Sequence, residues 1–241
     1  WTLQPSHPEL LDALALDFVE HDYELRHLMA TICKSHAYQL SSRFEGEYKP
    51  EYDRYYARKL VRRLSAEEVY DAIAKSTGIL GHGVDWQPHF PNRYWFPTWS
   101  GYAMDLPSPM NGSEFCSLDL KRFLFFFGRG DRSTKEPDTK TSIMQASLMM
   151  NSDLVREKIL AKTKGSRVQT LLEKTPPWTW DKPDRPMKDE IVDELFLCTL
   201  SRYPTPEEKV ASVDHIERYR DKGVEDLQWA LINKPEMMVN Y

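Results

Sequence analysis

Ser65-Ala66-Glu67-Glu68-Val69-Tyr70-Asp71-Ala72-Ile73, followed at a short distance by Gly78, is the stretch whose reading decides the fold of this chain. Ser65 and Glu68 stand three residues apart ahead of an apolar run. At that spacing a hydroxyl and a carboxylate each satisfy one of the backbone N–H groups a helix start leaves unpaired. Val69, Tyr70 and Ile73 then recur on one helical face, and Gly78 supplies a residue that closes a helix in the left-handed conformation. The stretch predicts an amphipathic helix, which needs other elements to cover its apolar face.

Upstream, the same signals recur. Ser6 is placed to cap a helix with Pro8 in its first turn, and Leu10, Leu11, Leu14 and Phe18 follow on one face. After His21 and Asp22, the series Leu25, Leu28, Met29 and Ile32 predicts a second amphipathic helix to about Ser35. The short link between them favours an antiparallel pair.

Downstream, proline marks the joints. Five of the sixteen prolines fall between Pro88 and Pro109, and four between Pro176 and Pro186. Each would cost about 3 kcal/mol inside a helix, so both regions read as irregular connections. The segment from Phe115 to Phe127 is compatible with helix or strand. Ile143, Met144, Ser147 and Leu148 make another helical face, with a stop and restart at Asn151 and Ser152. Beyond Pro186, Ile191, Val192, Leu195, Phe196 and Cys198 form a broad apolar face. Tyr203-Pro204-Thr205-Pro206-Glu207-Glu208 then combines a helix stop, an N-cap, a first-turn proline and a second capping box. Gly223 is expected to cap the next helix at its C-terminus, and Val224, Leu227, Ala230 and Leu231 to open a closing helix that ends before Pro235.

The fold class is therefore mainly α, a multi-helix globular domain with a long aromatic and proline-rich irregular loop. Residues 1–175 read as a helical core carrying that loop at about 79–112. Residues 176–187 read as a connection, and 188–241 as a C-terminal helical subdomain packing on the same body.

The full 241 residues, with 41% hydrophobic and 29% charged, describe an ordinary globular chain. The longest apolar run, Phe123 to Phe127, is far short of the roughly 20 residues of a membrane helix. A net charge of −5 gives no general attraction to phosphate backbones or anionic lipid. Cys33, Cys116 and Cys198 are too widely spaced for a zinc or disulfide framework. Trp1 in first position, with no signal pattern, is expected of a mature product or a portion of a longer chain.

Signatures of nucleotide binding, zinc proteolysis and serine hydrolysis are missing, and Cys33-Lys34-Ser35-His36 has one thiol too few for covalent haem attachment. No catalytic residue is nominated. Trp86, Phe90, Tyr94, Trp95, Phe96, Trp99 and Tyr102 crowd into seventeen residues and offer rigid faces for a protein partner, a glycan, or the loop's own core. His82, Asp85 and His89 are ligand types suited to zinc, but no fourth ligand stands out, and a structural or solvent-exposed role is preferred, with no metal assigned. Arg54, Arg58, Lys59, Arg62 and Arg63 beside Tyr55 and Tyr56 suit a phosphate strand; the acidic total favours a solvated helix face instead.

Several segments together resemble a known family. Ser6-His7-Pro8-Glu9-Leu10-Leu11-Asp12, Tyr38-Gln39-Leu40-Ser41-Ser42 and Arg62-Arg63-Leu64-Ser65-Ala66-Glu67-Glu68 are similar to the planctomycete-type, cytochrome c-associated C-terminal domain known as domain of unknown function 1553. The later landmarks continue in order. They are Phe127-Gly128-Arg129-Gly130-Asp131-Arg132, Gln145 to Ser152, Leu200-Ser201-Arg202-Tyr203-Pro204-Thr205-Pro206-Glu207-Glu208, and Trp229 to Asn233. The resemblance spans nearly the whole chain and carries no established activity. It implies an extracytoplasmic place in a bacterium, periplasmic or membrane-peripheral, near a redox protein, with haem only on a partner or an upstream domain.

The matched motifs read physically as structural anchors: Ser65 with Glu68, Thr205 with Glu208, and Arg129 and Arg132 reaching nearby carboxylates. The expected function is a non-catalytic docking module, an accessory to a cytochrome-containing or membrane electron-transfer complex. A carbohydrate-binding or carbohydrate-hydrolysing protein using the aromatic loop is the alternative, and a metal-dependent hydrolase on His82, Asp85 and His89 is a weaker one.

Overall fold

The computed structural model describes residues 4–80, 102–105, 118–129, 142–174 and 187–240. Among them are ten α-helices and one pair of two-residue strands, so the protein is mainly α. The chain forms two compact units, Trp1–Arg62 with Asn240–Tyr241, and Arg63–Val239.

The N-terminal unit holds α1 (Pro8–Glu20) and α2 (Leu25–Lys34). Pro8 sits in the first turn as expected, but the residue flanking the helix is His7, which makes no side-chain cap bond, so Ser6 does not cap α1. The helix ends where Asp22 and Tyr23 take left-handed backbone, with φ of 52° and 61°. That costs a non-glycine residue of order 1 kcal/mol or more, and the Tyr23 ring meets Phe18 edge-on at 5.5 Å across the turn. α2 folds back against α1, with Leu14, Phe18 and Leu28 half-buried. The basic stretch lies on no single helix. Pro50–Tyr55 is a 3-10 turn, and the Arg58 guanidinium lies 3.7 Å from the Tyr48 ring centre.

The C-terminal unit is built on α3 (Ala66–Thr77), which touches α4 (Leu118–Phe126), α6 (Asp153–Ile159), α7 (Arg167–Lys174) and α8 (Met187–Leu200). α5 (Ile143–Asn151) links α4 to α6, and α9 (Pro206–Tyr219) and α10 (Asp221–Ile232) complete the layer on α8. Val69, Tyr70, Ile73, Leu195, Ile216 and Leu231 are at most 1% exposed and lie in one continuous core. Each fully buried aliphatic or aromatic chain stabilises the fold by about 1.5–3 kcal/mol.

The ambiguous Phe115 to Phe127 segment is helical where it is described. Leu120, Phe123, Leu124 and Phe127 are buried at helical spacing, while Phe125 is 66% exposed. Phe123 and Phe127 stack at 4.3 Å, and Phe123 meets Tyr70 of α3 at 5.8 Å. α3 closes at Gly78, whose φ of 76° strains any residue with a side chain and where an added Cβ would stand a tight 3.3 Å from the Gly165 carbonyl oxygen. α5 and α6 meet at Ser152, which ends one helix and starts the other.

Two features depart from the expectations. Gly223 lies inside α10; α9 ends at Arg220, with φ 55° and ψ −129°. α7, which the sequence reading did not mark, contributes buried Val168 and Leu171. α8 packs on α3 within the unit Arg63–Val239.

Candidate functional site

Of the aromatic cluster, only Tyr102 belongs to the described residues; Trp86, Phe90, Tyr94, Trp95, Phe96 and Trp99 lie outside them, as do His82, Asp85, His89 and Arg132. Tyr102 is half-buried. The next two residues are held by α3: the N–H of Ala103 donates to Asp71 Oδ1 at 2.5 Å and that of Met104 to Oδ2 at 3.0 Å. One carboxylate thereby fastens Ala103 and Met104 to α3.

The anchor residues form the scaffold. Ser65 and Glu68 close a capping box on α3, with Oγ accepting from the Glu68 N–H at 3.3 Å and Glu68 Oε2 accepting from the Ser65 N–H at 2.7 Å. Such a cap contributes about 1 kcal/mol. Arg129 Nε sits 2.7 Å from Glu67 Oε1, both side chains largely covered. Nearby, Gln145 accepts from the Arg63 guanidinium at 2.8 Å and donates to the Phe126 carbonyl at 2.9 Å, joining α4, α5 and the lead into α3. Gln145 also completes a capping box with Ser142 that the sequence reading missed, though Ser-x-x-Gln was there to be read.

Thr205 and Glu208 cap α9, and Glu208 does more. Its carboxylate takes a bidentate grip from Arg202 at 2.7 and 3.0 Å and a further bond from the Lys234 ammonium, while Arg202 also reaches Glu236 at 2.8 Å. These bonds, Arg202 foremost, hold the Glu208 carboxyl well below the usual range. In the core, burial pulls the Lys158 ammonium down to about 8; its Nζ lies 4.5 Å from the Tyr70 ring centre. Burial pushes the Cys198 thiol up, and its Sγ donates toward the Ser76 carbonyl at 3.5 Å, an inert structural setting.

The N-terminal unit presents the accessible chemistry. None of its described residues is buried. α1 carries a broad apolar arc opposite Glu9, Asp12, Asp17 and Glu20, and Leu10, Leu11, Leu16 and Val19 are each at least half exposed. Leu25, Met29 and Ile32 form an exposed stripe on α2. A shallow cleft of about 450 Å³ is lined by Cys33, the stretch from Tyr38 to Ser42, and Lys59. It presents a thiol, a phenol, an amide, two hydroxyls and an ammonium.

At the corner between α1 and α2, Asp17, His21 and His27 converge. His21 Nδ1 donates to the Asp17 carbonyl at 2.8 Å and lies 3.4 Å from Asp17 Oδ1. His27 Nε2 is 3.1 Å from Oδ2 and 3.4 Å from Oδ1. The two imidazoles stack with centroids 3.6 Å apart. Among the described residues this is the group of His, Cys, Asp and Glu whose ligand atoms could hold a metal ion. The helical spacing of Asp17 and His21 is legible in sequence; the approach of His27 requires the hairpin.

No described helix is long and apolar enough to cross a membrane. No curated protein and no solved structure matches this chain. A family model described as protein of unknown function (DUF1553) matches residues 2–216, running through the capping motifs of α3 and α9 and both compact units. The chain belongs to that DUF1553 family.

Proposed function

We propose that this chain is a non-catalytic helical interaction module whose N-terminal hairpin docks on a protein partner. The observation that carries the reading is the state of α1: a helix with a broad apolar arc buries that arc against a neighbour, yet no residue of α1 or α2 is buried. Six carboxylates and no lysine or arginine lie between Glu9 and Glu24, so the partner's surface is apolar at its centre and basic at its rim. The resemblance to cytochrome-associated domains favours a partner that carries haem, in an extracytoplasmic, periplasmic or membrane-peripheral complex.

The test is photo-crosslinking from positions 25 and 29 in gently solubilised native membranes, read by mass spectrometry and by the haem spectrum of the crosslinked band. One stoichiometric, haem-bearing partner, lost in the Leu25→Asp/Met29→Asp variant, supports the reading. A haem-free partner removes the electron-transfer part of it, and a chain that crosslinks to nothing removes docking.

A further inference from the structure

We infer that Asp17, His21 and His27 form a binding site for a zinc-class divalent transition ion, which staples α1 to α2 at the hairpin corner. The argument is geometric first. Zinc bound tetrahedrally at about 2.0–2.1 Å from each ligand holds the ligand atoms about 3.4 Å apart. Asp17 Oδ1 lies 3.4 Å from His21 Nδ1 and 3.4 Å from His27 Nε2, and one ligand atom from each of the three residues falls within 4.8 Å of the others. Two edges of the tetrahedron thus already have the right length, and the stacked imidazoles, with centroids 3.6 Å apart, turn out of their stack so that both lone pairs meet one ion.

The donor chemistry agrees. Two imidazoles and one carboxylate select zinc and its neighbours over magnesium and calcium, which prefer oxygen. Asp17 and His21 lie one turn apart at the end of α1, while His27 arrives from α2 because the left-handed pair Asp22 and Tyr23 reverses the chain. The side chains of Asp17, His21 and His27 are 32%, 45% and 31% exposed, so the ion has an entry path and a fourth position open to water.

Metal binding rearranges one proton. In the metal-free site His21 Nδ1–H donates to the Asp17 carbonyl. To offer Nδ1 to the metal, His21 shifts its proton to Nε2 and turns its ring away from the Asp17 carbonyl. The Asp17 carbonyl loses that bond but keeps the helical N–H of His21 at 3.1 Å, so no backbone group is orphaned. His27 binds through Nε2 with its proton on Nδ1, and the site then holds two neutral imidazoles and one carboxylate.

The experiment uses the tag-free full chain, stripped with chelator. Zinc is titrated by calorimetry and cobalt by visible absorption, with thermal unfolding followed in both. One equivalent of zinc, a four-coordinate cobalt spectrum and a metal-dependent rise in Tm are expected. His27→Gln and Asp17→Asn should each weaken zinc binding by on the order of tenfold or more, with unchanged helicity by circular dichroism, while Cys33→Ser binds as the parent does. Absence of binding at millimolar zinc overturns the inference. So does equal binding by the parent and His27→Gln, which places the metal elsewhere. Loss of helicity in His27→Gln shifts the decision to Asp17→Asn, whose unaltered zinc affinity would overturn it equally.

Discussion

Gly223 of α10 lies so close to α9 that a Cβ placed on it would stand 2.8 Å from the Ile216 Cα and 2.9 Å from the His215 carbonyl oxygen. The closely packed pair of helices thus turns on one missing methyl group. Ile216 is fully buried beneath this contact, and Val224 beside Gly223 is buried as well.

Gly223→Ala is therefore expected to destabilise the chain. In an exposed helix interior the same change stabilises by about 1 kcal/mol; here backbone atoms that cannot rotate away must separate, and overpacking of that kind costs about 1–3 kcal/mol. Urea unfolding decides the sign. A Gly223→Ala variant as stable as the parent would mean that α9 and α10 separate freely.

Glu208 serves the α9 cap and the Arg202–Lys234–Glu236 cluster at once, so Glu208→Gln should lose about 2 kcal/mol at pH 7. Arg202 and Lys234 lower its carboxyl in the folded state. Its contribution is therefore complete above the ordinary glutamate value of about 4.3 and is lost as pH falls through the depressed native value. The stability gap between parent and variant should be constant from pH 6 to 8 and narrow below about pH 4. Chemical unfolding at a series of pH values measures it.

Lys158 gives the opposite pH dependence. Burial lowers its folded value to about 8, against 10.5 for a free lysine. Between those two values the unfolded chain binds the extra proton, so stability rises with pH across that window, by about 3 kcal/mol in total. Below pH 8 the buried ammonium carries its full cost. Lys158→Met should remove this slope; an identical pH profile in both proteins would show that Lys158 reaches water.

The N-terminal hairpin, with no buried residue, should open without unfolding the rest. Its amides are expected to exchange at least about 100-fold faster than those of α3, α8 and α10. Hydrogen exchange read by mass spectrometry separates the two units. Equal protection in α1 and α3 would contradict the absence of a core in the hairpin.

Local sequence determined those helix boundaries that depend on groups three residues apart. Ser65 with Glu68 and Thr205 with Glu208 cap their helices because hydroxyl, carboxylate and backbone N–H all lie within a single turn. Gly78 closes α3 because a residue without a Cβ takes left-handed backbone without strain and leaves the nearby Gly165 carbonyl uncrowded. The apolar periodicity of α1, α2 and α3 was legible for the same reason, since one helix carries all of it. The family was legible too, through motifs that are mostly caps and corners.

What tertiary structure alone decided has partners distant in the chain. Phe123 and Phe127 read equally as strand or helix until Tyr70 and the rest of the core select the face they bury. Gly223 looked like a cap because glycine ends helices, but here it admits Ile216 from the neighbouring helix. Of the candidate site, Asp17 and His21 show their pairing in sequence, while His27 joins them only when a left-handed turn at Asp22 and Tyr23 brings α2 back. Spacing along the chain fixes contacts within one helical turn; a contact between helices depends on where each helix lies, which is set by the summed burial of both.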